Sequence, residues 1–120
     1  MNRRGCIFWV IGVLLLSGCA HNPESFYFGD YSEAEKLYNR GAFKEAIEKY
    51  DAYLKDHPEG NLAVIAQYYI AKCHVELKEP DLAKPIFEKI VKEHPDVVWA
   101  KFSETQLQEM GNPKTPAAAG

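Results

Sequence analysis

The chain has 120 residues, 47% hydrophobic and 26% charged, with 17 acidic residues against 14 basic ones and a net charge of −3. That length holds one small domain, and a mildly acidic chain without a basic stripe argues against nucleic-acid binding. Three widely separated cysteines, Cys6, Cys19 and Cys73, offer no disulfide framework.

The first element is a leader. Arg3 and Arg4 precede an apolar run from Cys6 to Leu16, broken only by Gly12, and the small residues Ser17 and Gly18 lead to Cys19. These are the n-region, h-region and cut site of a secretory signal over residues 1–18. The run falls short of the roughly 20 residues that a spanning helix needs.

Leu16-Ser17-Gly18-Cys19 resembles the lipobox of bacterial lipoproteins. The resemblance implies that the Cys19 thiol is linked to diacylglycerol, that the chain is cut before it, and that the new amino group is acylated, with palmitate among the chains. Two or more chains anchor stably, at about 0.8 kcal/mol per buried CH₂. Ala20 stands where an Asp would mark inner-membrane retention, which implies an outer-membrane anchor facing the periplasm. Losing Arg3 and Arg4 leaves 12 basic against 17 acidic residues, a balance of −5, and Cys73 as the one cysteine outside signal and lipid.

Residues 19–29 read as the lipidated cysteine and a tether with Pro23 and Gly29, residues 30–110 as the folded domain, and the Pro- and Ala-rich residues 111–120 as a disordered tail. Within the domain, Tyr50 to Glu59 matches Phe87 to Asp96 at an offset of 37 residues, His-Pro against His-Pro, and the same offset pairs Ala34 with Ala71 and Ala46 with Ala83. This is an internal duplication.

Each unit reads as two helices. Ser32 and Glu35 form a capping box for a helix that runs to Arg40, with Gly41 as its left-handed exit. Phe43, Ala46, Ile47, Tyr50 and Leu54 fall at helical spacing, and Pro58 stops that helix by disfavouring α geometry at His57. The next pair places Leu62, Ile65, Ala66, Tyr69, Ile70, Cys73 and Leu77 on one face, and Ala83, Phe87, Ile90 and Val91 on another. Pro85 inside this last helix predicts a kink near Lys84 or a loose first turn. Asp96 is the predicted cap of a fifth helix through Val98, Trp99, Phe102, Leu107 and Met110, whose Trp99, Phe102 and Leu107 cover the second unit.

Small residues at Ala34 and Ala46, an aromatic at Tyr50 and Pro58 beyond, repeated as Ala71, Ala83, Phe87 and Pro95, resemble the tetratricopeptide repeat. Small residues let paired helices approach while the aromatic fills the gap between them. The resemblance implies an all-α fold of two tetratricopeptide-like helix pairs plus a C-terminal capping helix, a short α-solenoid. The extra residues Glu59-Gly60-Asn61 resemble the longer-period repeats of bacterial envelope lipoproteins, including those of outer-membrane assembly, Tol-Pal and pilotin type.

Chemistry is sparse. His21, His57, His74 and His94 share no metal-ligand spacing with one another, a cysteine or a carboxylate. His57 and His94 fall at matching helix C-termini, where a cation favours the dipole, His74 reads as a hydrogen-bonded packing residue, and Cys73 as a small buried hydrophobe. No nucleophile elbow, phosphate loop or carboxylate pair calls for an enzyme, a cofactor or a metal.

Binding remains. Carried over from the repeat family, the groove positions are Phe28, Tyr31, Glu35, Tyr38 and Asn39, then Ile65, Tyr68, Lys72, Val75 and Glu76. Tyr31, Tyr38 and Tyr68 would face a ligand, whereas Tyr50 and Phe87 fall where helices pack; Phe28 and Ile65 could equally complete the core. The expectation is a lipid-anchored periplasmic adaptor that holds a protein or peptide partner during envelope assembly. The alternative is a small structural lipoprotein that forms a homodimer or serves as a passive subunit of a larger complex.

Overall fold

The computed structural model describes residues 29–111, and among them every regular element is a helix: α1 (Gly29–Asn39), α2 (Phe43–Asp56), α3 (Asn61–Glu76), α4 (Pro80–Glu93) and α5 (Val98–Gly111). The signal, Cys19 and its tether up to Phe28, and the tail from Asn112 lie outside the described residues. Each helix packs on its neighbours in the chain, and α3 also meets α5, the nearest-neighbour arrangement of a helical solenoid.

The duplication is visible in the helix bounds. α2 and α4 start at Phe43 and Pro80, α1 and α3 end at Asn39 and Glu76, and α3 and α5 start at Asn61 and Val98, each pair 37 residues apart. The helix ends repeat as well. The Gly41 amide donates to the Tyr38 carbonyl (3.0 Å) and the Ala42 amide to the Leu37 carbonyl (2.9 Å), with Gly41 at φ +79°. At the matching place the Lys78 amide donates to Val75 (3.0 Å) and the Glu79 amide to His74 (2.8 Å), with Lys78 at φ +62°. Both are Schellman closures, one built on glycine and one on lysine. His57 and His94 close α2 and α4 through their amides, to Tyr53 (2.8 Å) and Ile90 (2.9 Å).

Packing follows the repeat logic. Ala34, Ala46, Ala71 and Ala83 are fully buried where paired helices touch, and Tyr50 and Phe87 are fully buried in the gaps between them. Tyr50 belongs to the cluster shared by α1, α2 and α3, while Phe87 packs with Ala71 and Ala83, against which Tyr68, Val75, Leu107 and Met110 lean. Removing apolar surface of this kind from water is the main stabilising term, at roughly 25 cal/mol per Å².

α5 has the register of α3, not merely the place of a lid. Where α3 turns Val64, Tyr68 and Ala71 toward α4, α5 carries Lys101, Thr105 and Gln108, all exposed. A polar outer face ends the stack, so α5 is an inner helix adapted as a cap.

Several local expectations are corrected. Gly29, assigned to the tether, is already helical, so Ser32 lies inside α1 and forms no capping box with Glu35. Tyr31 is buried against the edges of Tyr50 (5.7 Å) and Tyr53 (5.4 Å), which needs helical backbone before Ser32. α5 ends at Gly111, and the residue before α5 is Val97 rather than Asp96. α4 runs through Pro85 without interruption; Pro85 is exposed, so water can reach the carbonyl it leaves without a donor. Phe102 is 46% exposed and covers less of the second pair than Trp99 and Leu107. No helix among the described residues is long and apolar enough to cross a membrane.

Candidate functional site

The inner helices α1, α3 and α5 lie side by side, and the groove positions fall on them. Glu35, Asn39 and Glu76 are exposed, whereas Tyr38, Ile65, Tyr68, Lys72 and Val75 are half-buried. Tyr31 is corrected: at 7% exposure it belongs to the core, packed between α1 and α2. It is displaced inward because Tyr53, a large residue where the repeat usually has a small one, offers a ring edge. Ile65 joins the first core cluster and Val75 the third.

Aromatic rings run unbroken across the three inner helices. Tyr38 of α1 meets Tyr69 of α3 edge-on at 5.1 Å, and Tyr69 touches Tyr68 (5.7 Å) and Trp99 of α5 (6.1 Å). Tyr68 contacts Phe87 (5.6 Å), Trp99 (5.1 Å) and Phe102 (6.3 Å). Ring pairs in this geometry add about 0.5–1.5 kcal/mol beyond burial. Tyr68 is therefore both groove wall and structural support, which overturns the simple division between ligand-facing and packing tyrosines.

Polar groups differ between the two seams of the groove. At the α3/α5 seam the Lys72 Nζ donates to Gln106 Oε1 (3.1 Å), and Gln106 Nε2 donates to Glu109 Oε2 (3.0 Å). At the α1/α3 seam, Glu35, Tyr38, Asn39, Tyr50 and Tyr69 surround a notch of about 100 Å³. Tyr50 is fully buried, yet its hydroxyl has no hydrogen-bond partner among the described residues. Burial, and then the Glu76 charge, pushes the Tyr38 phenol up to about 12, and burial raises Tyr50 further. These phenols stay neutral and can donate or accept.

A larger cleft of about 430 Å³ opens where the α2–α3 loop, the start of α3 and the end of α4 meet, lined by Pro58, Gly60, Gln67, Lys89, Glu93 and His94 among others. Glu59 and Glu93 there face one lysine, Lys89, so the cleft carries a slight acidic balance.

Other titratable groups read as structural. His74 Nδ1 lies 2.8 Å from Glu79 Oε2 and ties the end of α3 to the turn before α4. Burial raises the Asp51 carboxyl, and His74 opposes that rise. The Cys73 thiol is fully enclosed and pushed up to about 12, by burial first and Glu76 second, so it has little thiolate to react. Among the described residues, no three His, Cys, Asp or Glu side chains converge as a metal would require.

Sequence reasoning missed Tyr69, Tyr50 and Gln106 as groove constituents. The signal was present: the 37-residue offset carries Tyr69 onto Gln106 and Ile65 onto Phe102, which marks the fifth helix as a further inner helix. Compared with known proteins, a family model for the tetratricopeptide repeat matches residues 37–102, over half of the chain. No curated protein and no solved structure matches it.

Proposed function

The chain belongs to the tetratricopeptide-repeat family, a protein-interaction fold, and from that premise we propose that it is a lipid-anchored adaptor of the bacterial envelope. In this reading Cys19 carries the lipid at the periplasmic face of the outer membrane. The groove of α1, α3 and α5 holds a protein or peptide partner during assembly of an envelope complex. The observation that carries the binding reading is the aromatic ladder from half-buried Tyr38, Tyr69 and Tyr68 to exposed Phe102, flanked by Glu35, Asn39, Lys72 and Glu76. Rigid aromatic faces rimmed by charge concentrate binding energy at little entropic cost. The anchor rests on the residues Leu16-Ser17-Gly18-Cys19.

A photo-crosslinking residue at Asn39 or Glu76, both exposed, tests the groove in isolated membranes. A discrete crosslinked protein is expected from both sites and not from Lys101 on the polar outer face of α5. Equal capture from all three would remove the groove from the mechanism. Metabolic lipid labelling tests the anchor: Cys19→Ser should lose the label and Cys73→Ser should keep it.

The alternative, a structural lipoprotein that dimerises, draws on Val98 (58% exposed) and Phe102 (46% exposed), which share one face of α5 at i, i+4 spacing. Sedimentation equilibrium of the wild type and Phe102→Asp separates the two: a dimer that the variant dissolves favours the alternative.

A further inference from the structure

The Tyr50 hydroxyl is fully enclosed and has no hydrogen-bond partner among the described residues, and such a group is costly to bury. The stack itself does not demand it, because Phe87 fills the matching gap in the second repeat. Tyr50 is itself among the residues that line the notch of about 100 Å³, whose remaining walls are Glu35, Tyr38, Asn39 and Tyr69. That lining has one carboxylate, one amide and three phenols, and no lysine or arginine. Glu76 lies close enough to bear on the Tyr38 phenol, adding a second negative charge.

The second seam shows what fits such a place. At the offset of 37 residues Glu35 becomes Lys72 and Tyr69 becomes Gln106, and there the lysine crosses the seam to the glutamine at 3.1 Å. A cation supplied by the chain closes α3 to α5. Between α1 and α3 the same register carries a carboxylate and an open space, while Lys49 of α2 pairs with Asp30 at 3.0 Å and Lys36 of α1 with Glu33 at 3.8 Å.

We propose that the α1/α3 notch is a subsite for a lysine side chain of the protein partner, an assignment that rests on the groove binding proteins at all. An ammonium has three donors and no acceptor. The Glu35 carboxylate accepts from the buried Tyr31 phenol and keeps further lone pairs, and Asn39 and Tyr50, which line the same small space, each carry an acceptor oxygen as well. The corner formed by Tyr38 and Tyr69, 5.1 Å apart and inclined at 73°, takes the methylene stem and adds a cation–π contribution. Arginine's broad planar fork suits the space less well, and a partner's carboxylate would meet Glu35 and Glu76 as like charges.

The test uses the full chain and four pools of nine-residue peptides, random except for a central Lys, Nε-acetyl-Lys, Arg or Glu, with retention measured by fluorescence anisotropy. The Lys pool should be retained about tenfold better than the acetyl-Lys and Glu pools, the effect of one charge-assisted contact set. Glu35→Gln should abolish that preference. Tyr50→Phe should weaken Lys-pool binding about threefold to tenfold without lowering the melting temperature, a split that a purely structural hydroxyl would not produce. Equal retention of all pools, or a lysine preference that survives Glu35→Gln, would overturn the subsite while leaving the groove in place. If no pool is retained, subsite and groove both fall.

Discussion

The two seams of the groove share a backbone plan and reverse its chemistry. Between α1 and α3 stand Glu35, Asn39 and Tyr69 over Tyr50; between α3 and α5, in the same register, stand Lys72, Glu76 and Gln106 over Phe87. The second seam is bridged and satisfied, and the first keeps a notch and an unpaired hydroxyl. Ala34 and Ala71, or Ala46 and Ala83, did not diverge with them, because helices in contact tolerate only small side chains at those points. Positions that support the stack are held by sterics; positions on the groove answer to something outside it.

The largest expected effect lies where the seams are alike. Phe87→Ala and Tyr50→Ala each empty a fully buried gap and should cost about 3–5 kcal/mol, close to the whole margin of a small domain at about 5 kcal/mol. Urea or thermal unfolding followed by Trp99 fluorescence measures it. If one truncation were mild while the other unfolded the chain, the two gaps would not be equivalent floors.

The next effect separates the outer helices. α4 carries Pro85 where α2 carries Glu48, and both sites are exposed. Proline removes one helical hydrogen bond and crowds the preceding turn, so Pro85→Glu should raise stability by up to about 3 kcal/mol. The chemical-denaturation midpoint reports it. An unchanged midpoint would mean that α4 already accommodates the ring at no cost.

A smaller change of opposite functional sign probes the seam floors again. Tyr50→Phe makes the first repeat resemble the second, removes a buried group that lacks a partner, and should stabilise the free protein by about 1 kcal/mol. A loss of that size instead would show that the hydroxyl is satisfied in solution, for instance by a bound water.

Much of this fold was legible because its determinants are local. Gly41 requires a left-handed backbone, Pro58 and Pro95 stop helices, and the alanine and aromatic positions carry their steric reason with them. The misses were relational. Ser32 and Glu35 have the spacing of a cap, but whether they cap depends on where α1 starts, which the burial of Tyr31 against Tyr50 and Tyr53 decides. Tyr31 and Tyr38 both occupy family groove positions, yet one is core and the other groove wall, because Tyr31 meets the large Tyr53 ring of α2. The notch was invisible because it is made by residues of α1, α2 and α3 together, and an unpaired hydroxyl has no signature in a linear pattern.

The smallest effect compares the two Schellman turns, where Gly41 and Lys78 hold the same left-handed backbone. A residue with a Cβ is strained there by about 1–2 kcal/mol, so Lys78→Gly relieves that strain. Glycine also loses more backbone freedom on folding, by about 0.5–1 kcal/mol relative to alanine, and removing a cation from the end of α3 forfeits about 0.3 kcal/mol of dipole interaction. These opposing contributions leave a net gain of about 0.5 kcal/mol. The reciprocal change, Gly41→Lys, should cost a similar amount. An added Cβ at Gly41 meets nothing within 4 Å, so the cost there is conformational rather than steric. Paired denaturation curves of the two variants read both signs together. If Lys78→Gly destabilised the protein while Gly41→Lys did so too, Lys78 would hold a contact of its own, and the two turns would be alike in backbone only.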